Sequence, residues 1–170
     1  VNSFGKENGE SFADLIISLE DIKGLEIIRY TTSHPYDVTP ELIKIHKHSK
    51  KLAPHLHLPV QSGSNKILKD MRRPYTIEQA VNIIKKFRKN FPDITIATDL
   101  ITGYPTETDE DHKLTLKFLE EIKPDVLNLS TFSKHKNTPA ENLKELPINI
   151  INQRNKEIMN LHRQTTFENK

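Results

Sequence analysis

Apolar residues recur along this chain at two different spacings. Phe12, Leu15, Ile16, Leu19 and Ile22 fall at three- and four-residue intervals, so residues 11–22 read as an amphipathic helix. Ser11, with Asp14 three residues on, supplies a capping box at its start. After Gly24 the segment Leu25–Thr31 is short, β-branched and aromatic, and it ends in the polar cluster Thr31-Thr32-Ser33-His34-Pro35. That is a strand followed by a loop. Thr39-Pro40-Glu41 opens a helix running to about Lys50. His55–Val60 alternates as a strand and is followed by the turn Gln61-Ser62-Gly63-Ser64. Helical spacing returns at Ile67, Leu68 and Met71, and again at Ala80, Ile83, Ile84 and Phe87 behind a Thr76/Gln79 capping box. Residues 94–99 form a predicted strand, 108–122 a capped helix, 126–132 a strand, and Pro147 starts a last helix.

Strands separated by helices point to a parallel sheet with right-handed crossovers. The fold class is therefore α/β: a partial (β/α) barrel with about four parallel strands and crossover helices. The 170 residues are enough for one domain with a real core and too few for a closed barrel of eight units. Residues 1–146 form the strand-bearing part, and residues 147–170 a terminal helix.

Composition removes several function classes. Zero cysteines exclude disulfides, thiolate zinc sites, a cysteine nucleophile and a cysteine-ligated iron–sulfur cluster built from this chain alone. No long apolar run or signal-peptide pattern is present, so a cytoplasmic setting is expected, without a membrane partner. The net charge of +2 permits a polyanionic partner without demanding one.

In parallel α/β architectures functional groups gather beyond the carboxyl ends of the strands. Here those positions are Thr31–Pro35, Gln61–Ser64, Asp99–Gly103 and Ser130–Ser133, all rich in hydrogen-bonding groups. Each cluster alone reads as turn and cap residues; four aligned clusters read as a site. Ser, Thr and Gln suit ribose and carboxylate recognition, and Gly63 and Gly103 let backbone approach a ligand. His55 and His57 share one strand face and could form a metal pair with His34 and Asp99, although the pair starts its strand and packed, hydrogen-bonded histidines are the competing state. Among the basic clusters, Arg72-Arg73 and Lys134-His135-Lys136 adjoin the expected cleft and are candidates for a nucleic-acid contact.

Several strings, in order, resemble the methylthiotransferase branch of the radical S-adenosylmethionine enzymes. They are Val1–Gly5, Thr31–Pro35, His55–Asn65, Met71–Thr76 and Thr98–Asp111, the last with Tyr104 where Phe is commoner and Thr106 where Gly is commoner. The stretch Lys123–Pro147 looks most like the archaeal and eukaryotic subgroup acting on threonylcarbamoyladenosine in tRNA, although its usual arginine-proline-glycine-threonine string is here His135-Lys136-Asn137-Thr138. The resemblance implies the second half of a radical S-adenosylmethionine barrel, with S-adenosylmethionine as cofactor and tRNA as partner. It implies that Ser33 and Gln61, Ser62, Gly63 and Ser64 face the ribose and methionine part, and that Asp99, Ile101, Gly103 and Phe132 line the nucleoside. Arg73 becomes a carboxylate or phosphate partner, with Arg72, Lys134, His135 and Lys136 toward tRNA.

The family's 4Fe–4S clusters are held by cysteines that this chain lacks, so it holds no cluster-ligating or catalytic residue and is expected to be inactive alone. The sheet edge left uncovered would suit pairing with a second copy. The expected activity of the whole enzyme is methylthiolation at C2 of N6-threonylcarbamoyladenosine at tRNA position 37. Alternatives are a ribosomal-protein methylthiotransferase, a metal-dependent hydrolase using His55 and His57, and a non-catalytic RNA-binding adaptor.

Overall fold

The computed structural model describes residues 2–136, 138 and 140–168; Val1 of the first motif and Asn137 of the His135–Thr138 string lie outside the described residues. Three parallel strands, β1 (His55–His57), β2 (Thr95–Thr102) and β3 (Val126–Thr131), form one sheet in the order β1-β2-β3. Helices α1 (Phe12–Glu20) and α2 (Pro40–His48) precede it. Between the strands lie α3 (Asn65–Asp70), α4 (Ile77–Asn90) and α5 (Asp109–Ile122), and α6 (Ile148–Glu168) ends the chain.

The local signals form as the residues dictate. Ser11/Asp14, Thr76/Gln79 and Thr108/Asp111 each make a reciprocal capping box, satisfying two orphan amides at the starts of α1, α4 and α5. Thr39 caps α2 through Leu42 N–H, with Pro40 in the first turn.

Two strand expectations are corrected. Leu25–Thr31 makes no strand; Ile28 pairs only as an isolated parallel bridge with Leu52, through Ile28 N–H to Lys51 O and Ala53 N–H to Ile28 O. The next tie along this segment is Ser33 N–H to His57 O, beyond a left-handed Thr32 (φ 61°) that breaks the extended run. The ladder is thus anchored at both ends and absent between. The second strand, expected over residues 55–60, ends at His57 because Pro59 has no N–H and the register slips there. The offset is 97 − 57 = 40 at His57↔Ala97 and 100 − 61 = 39 at Gln61↔Leu100, so one extra residue bulges out between them. The Leu58 carbonyl beside Pro59 is satisfied by the Thr98 hydroxyl at 2.8 Å.

Strand alternation separates the sheet's two faces. Leu56, Ile96, Leu100, Leu127 and Leu129 point into the main core with Ala80, Ile84 and Phe87 of α4, Phe118, Leu119 and Ile122 of α5 and Ile158 of α6. His57, Asp99, Ile101, Asn128 and Ser130 take the opposite face, where Asn128 and Ser130 are exposed. A second, smaller cluster joins Phe12 and Ile16 of α1 to Ile28, Tyr30 and Leu42. Within it Tyr30 Oη meets His46 Nε2 at 2.6 Å, and burial pulls the His46 imidazole down to about 4.

Helix α6 is fastened by ions. Arg154 and Glu107, about 5 % and 4 % exposed, pair at 2.8 Å, and Arg154 also reaches Asp109 at 2.7 Å. Glu107 additionally accepts the Gly103 N–H, so the loop after β2 is tied directly to α6.

Candidate functional site at the strand carboxyl ends

The polar face of the sheet carries one hydrogen-bonded line across all three strands. His57 Nε2 lies 2.8 Å from Asp99 Oδ1, and Asn128 Nδ2 donates to the same oxygen at 2.8 Å. Asn128 is the β3 register partner of Asp99, so the pair is a direct consequence of strand alignment. Gln61 joins the sheet at this level: its N–H donates to Asp99 O, and its carbonyl accepts from Ile101 N–H. Its left-handed φ of 76° is a conformation that costs a non-glycine residue free energy.

The Gln61–Ser64 loop is drawn inward. Ser62 Oγ accepts from Ser64 N–H, while Ser64 caps α3 and donates to Asp111 Oδ1 at 2.6 Å. Burial raises the Asp111 carboxyl, but hydrogen bonds from Ser64 and Thr108 and the Lys66 charge more than offset it, so the group sits below the usual carboxylate range. Gly63 lies against α5; a Cβ there would stand 2.5 Å from Thr115 Cα and 2.6 Å from the Leu114 carbonyl. Gly103 takes φ 76° with Ile151 of α6 pressed against it. For both glycines the close approach is to the protein's own helices. Ser33 is fully buried, and its hydroxyl has no hydrogen-bond partner among the described residues.

Beyond β2 and β3 opens a cleft of about 390 Å3. It brings together five of the residues singled out in the sequence: Arg72, Arg73, Ile101, Phe132 and His135. Tyr104, read in the sequence only as a motif position and not as a site residue, also lines it: its ring meets Phe132 edge-on at 5.0 Å between centroids and its hydroxyl donates to Asp70 O. The signal available was its place directly after Gly103, at a strand end. Arg73 lines this wall, and its Nε is buried with no partner among the described residues. Arg72 is held at φ 56°. Lys134 and Lys136 are exposed and outside the cleft lining.

The histidine metal set does not assemble. Both ring nitrogens of His57 are engaged, one by Asp99 and one by Thr32 N–H. His55 Nε2 faces the Arg29 guanidinium at 3.3 Å; burial first and the Arg29 charge second push its imidazole below the usual value. His34 Nδ1 accepts from Tyr36 N–H. Among the described residues no group of three or more His, Cys, Asp or Glu is placed to hold a metal.

A parallel half-sheet with its helices on one face, and a polar cleft past its strand ends, can be compared with known proteins. Residues 5–119 match the Radical SAM superfamily. The chain belongs to that superfamily. Among relatives of this radical SAM chain, the tRNA-2-methylthio-N(6)-dimethylallyladenosine synthase of Thermoanaerobacter sp. (strain X514) is 48% identical over 147 residues, covering 85% of this chain and 31% of the relative. The synthase of the same name from Carboxydothermus hydrogenoformans is 40% identical over 171 residues, covering 99% and 39%. The chain thus spans about a third of these relatives' length. In fold it is similar to coproporphyrinogen III oxidase (HemN) from Escherichia coli, a radical SAM enzyme, with a TM-score of 0.68 at 19% identity over 82% of this chain and 32% of that one.

Radical SAM enzymes use S-adenosylmethionine with a 4Fe–4S cluster, and the two groups fit this chain differently. No residue here offers a thiolate, so this chain supplies no cysteine ligand to such a cluster. The strand-end residues are chemically compatible with S-adenosylmethionine: the Asp99 carboxylate can accept hydroxyl donors, the Arg73 guanidinium lines the cleft, and Tyr104 and Phe132 give it an aromatic wall. Among the described residues no helix is long and apolar enough to cross a membrane.

Proposed function

We propose that this chain is the second half of the radical S-adenosylmethionine barrel of a tRNA methylthiotransferase, the enzyme that places a methylthio group on C2 of a modified adenosine at position 37. The observation that carries this reading is 48% identity across 85% of the chain to a synthase of that activity. The motif strings that resemble the family run through the same residues, and the strand-end geometry supplies groups of the right chemistry.

In this reading Asp99 and Gln61 face the ribose, with Ser33 close to the amino-acid part. Ile101 and Phe132 flank the adenine, and Arg73 takes the cofactor carboxylate. Ser62, Gly63, Ser64 and Gly103 shape the loops through their contacts with α3, α5 and α6. Arg72, His135 and the exposed Lys134 and Lys136 turn toward tRNA phosphates. Residues 1–146 carry the strands of the barrel, and the terminal helix packs on it through Ile158 and the Arg154–Glu107 pair. The 170 residues by themselves perform no radical chemistry, since the cluster ligands must come from elsewhere.

Two adenosine modifications compete as substrate. The names of the relatives favour N6-dimethylallyladenosine. The resemblance of Lys123–Pro147 to the archaeal and eukaryotic subgroup favours N6-threonylcarbamoyladenosine. Nucleoside mass spectrometry of tRNA from cells lacking the gene separates them. Loss of the 2-methylthio dimethylallyl nucleoside, with its unthiolated precursor accumulating, supports the first; the same pattern for the threonylcarbamoyl nucleoside supports the second. An unchanged nucleoside profile overturns the methylthiotransferase reading.

A further inference from the structure

Asp99 is held from one side only. Its Oδ1 receives both donors, His57 Nε2 from β1 and Asn128 Nδ2 from β3, each at 2.8 Å. No described residue bonds to Oδ2, and the side chain is 30% exposed. Two donors on one oxygen fix the carboxylate's torsion and leave the second oxygen's lone pairs for an incoming hydroxyl.

His57 is itself oriented. Thr32 N–H approaches His57 Nδ1 at 3.0 Å, and because a backbone amide can only donate, Nδ1 must accept. The ring proton then resides on Nε2, aimed at Asp99. The amide that imposes this tautomer belongs to a β-branched residue at φ 61°, a conformation that persists only where its surroundings hold it. A purely structural tie between strands would add little here. β2 and β3 are already joined by backbone pairing from Ala97↔Val126 to Thr102↔Thr131, and Asn128 is exposed.

We infer that His57 is a positioning residue that, with Thr32 N–H behind it and Asn128 opposite, locks the Asp99 carboxylate so that its free oxygen accepts the hydroxyls of a ribose. This rests on the reading of the strand ends as an S-adenosylmethionine site.

The test uses the full-length protein and two probes, S-adenosylhomocysteine and its analogue lacking both ribose hydroxyls, titrated calorimetrically into wild type, Asp99→Ala, His57→Leu, His57→Gln and Asn128→Ala. Wild type should prefer the ribose form by about tenfold or more. Asp99→Ala and His57→Leu should lose that preference. His57→Gln, whose amide can still donate toward Asp99, should keep most of it, and Asn128→Ala, at an exposed position, should lose part of it. If His57→Leu lowers the melting temperature while preserving the preference, or if it does not fold and Asn128→Ala keeps the full preference, the positioning role is overturned and the ribose reading of Asp99 survives. If wild type shows no preference and Asp99→Ala binds both probes equally well, the ribose reading fails, and the positioning role falls with it.

Discussion

The two faces of the sheet are built from alternate residues of the same strands and have opposite fates. Thr98 and Leu100 look toward the helices, whereas Asp99 and Ile101 look away. On the helical side Leu56, Ile96 and Leu100 are at most 1% exposed, and the buried Arg154 there is paired with Glu107. On the other side a carboxylate, an imidazole and an amide are half-buried or exposed, hydrogen-bonded to one another with acceptor capacity left over. One face spends its side chains on stability, and the other keeps them available for a ligand.

This contrast breaks most visibly at α6. Arg154→Met strands the Glu107 carboxylate in a buried position, and the expected cost is about 3–5 kcal/mol, read from urea unfolding. Leu100→Ala opens a cavity under α4 and α5 and costs about 3 kcal/mol by the same measurement, even though its chain neighbour Asp99 is a ligand-facing residue.

A pH series gives the next effect. His46 has a folded-state value of about 4 against 6.5 for the free side chain, so between those values the unfolded chain binds the proton more readily. The stability held by the neutral ring is therefore complete above about pH 6.5 and is lost as pH falls through 4, by about 3 kcal/mol in all. Melting temperatures at several pH values check this, and His46→Gln should flatten the slope. The smallest stability effect is expected at Asn128→Ala on the open face, within about 0.5 kcal/mol. A loss of 2 kcal/mol there would mean that the polar face also holds the fold together.

What the sequence made legible follows from the range of the interactions. Capping boxes at Ser11 and Thr76 involve residues three apart, and both formed, while the capped helix read at Thr108 proved to carry a box of the same kind. The strand predicted over residues 94–99 formed and runs on to Thr102. The strand expected at residues 25–31 failed because a strand needs a partner, and its only bridge partner, Leu52, offers a single point of pairing. Register was equally hidden: nothing local says that Asn128 stands opposite Asp99, or that one residue bulges out near Pro59. Gly63 was read as room for a ligand, whereas the backbone it approaches is α5, more than 50 residues on. Asp99 was singled out because its cluster is one of four aligned at strand ends, and Arg73 because its basic pair adjoins the expected cleft.

The central claim is that the ligand site lies on the open face and at the strand carboxyl ends, away from the helical layer, where a groove between α4 and α5 lined by Val81, Lys85, Leu114 and Lys117 offers a cavity of about 490 Å3. Hydrogen–deuterium exchange of the full-length protein with and without saturating S-adenosylhomocysteine tests it most directly. The account predicts added protection in residues 31–34, 61–64, 99–104 and 130–133 and none in α4 or the outer turns of α5. Protection confined to the α4–α5 groove, with the strand-end loops unchanged, would contradict it.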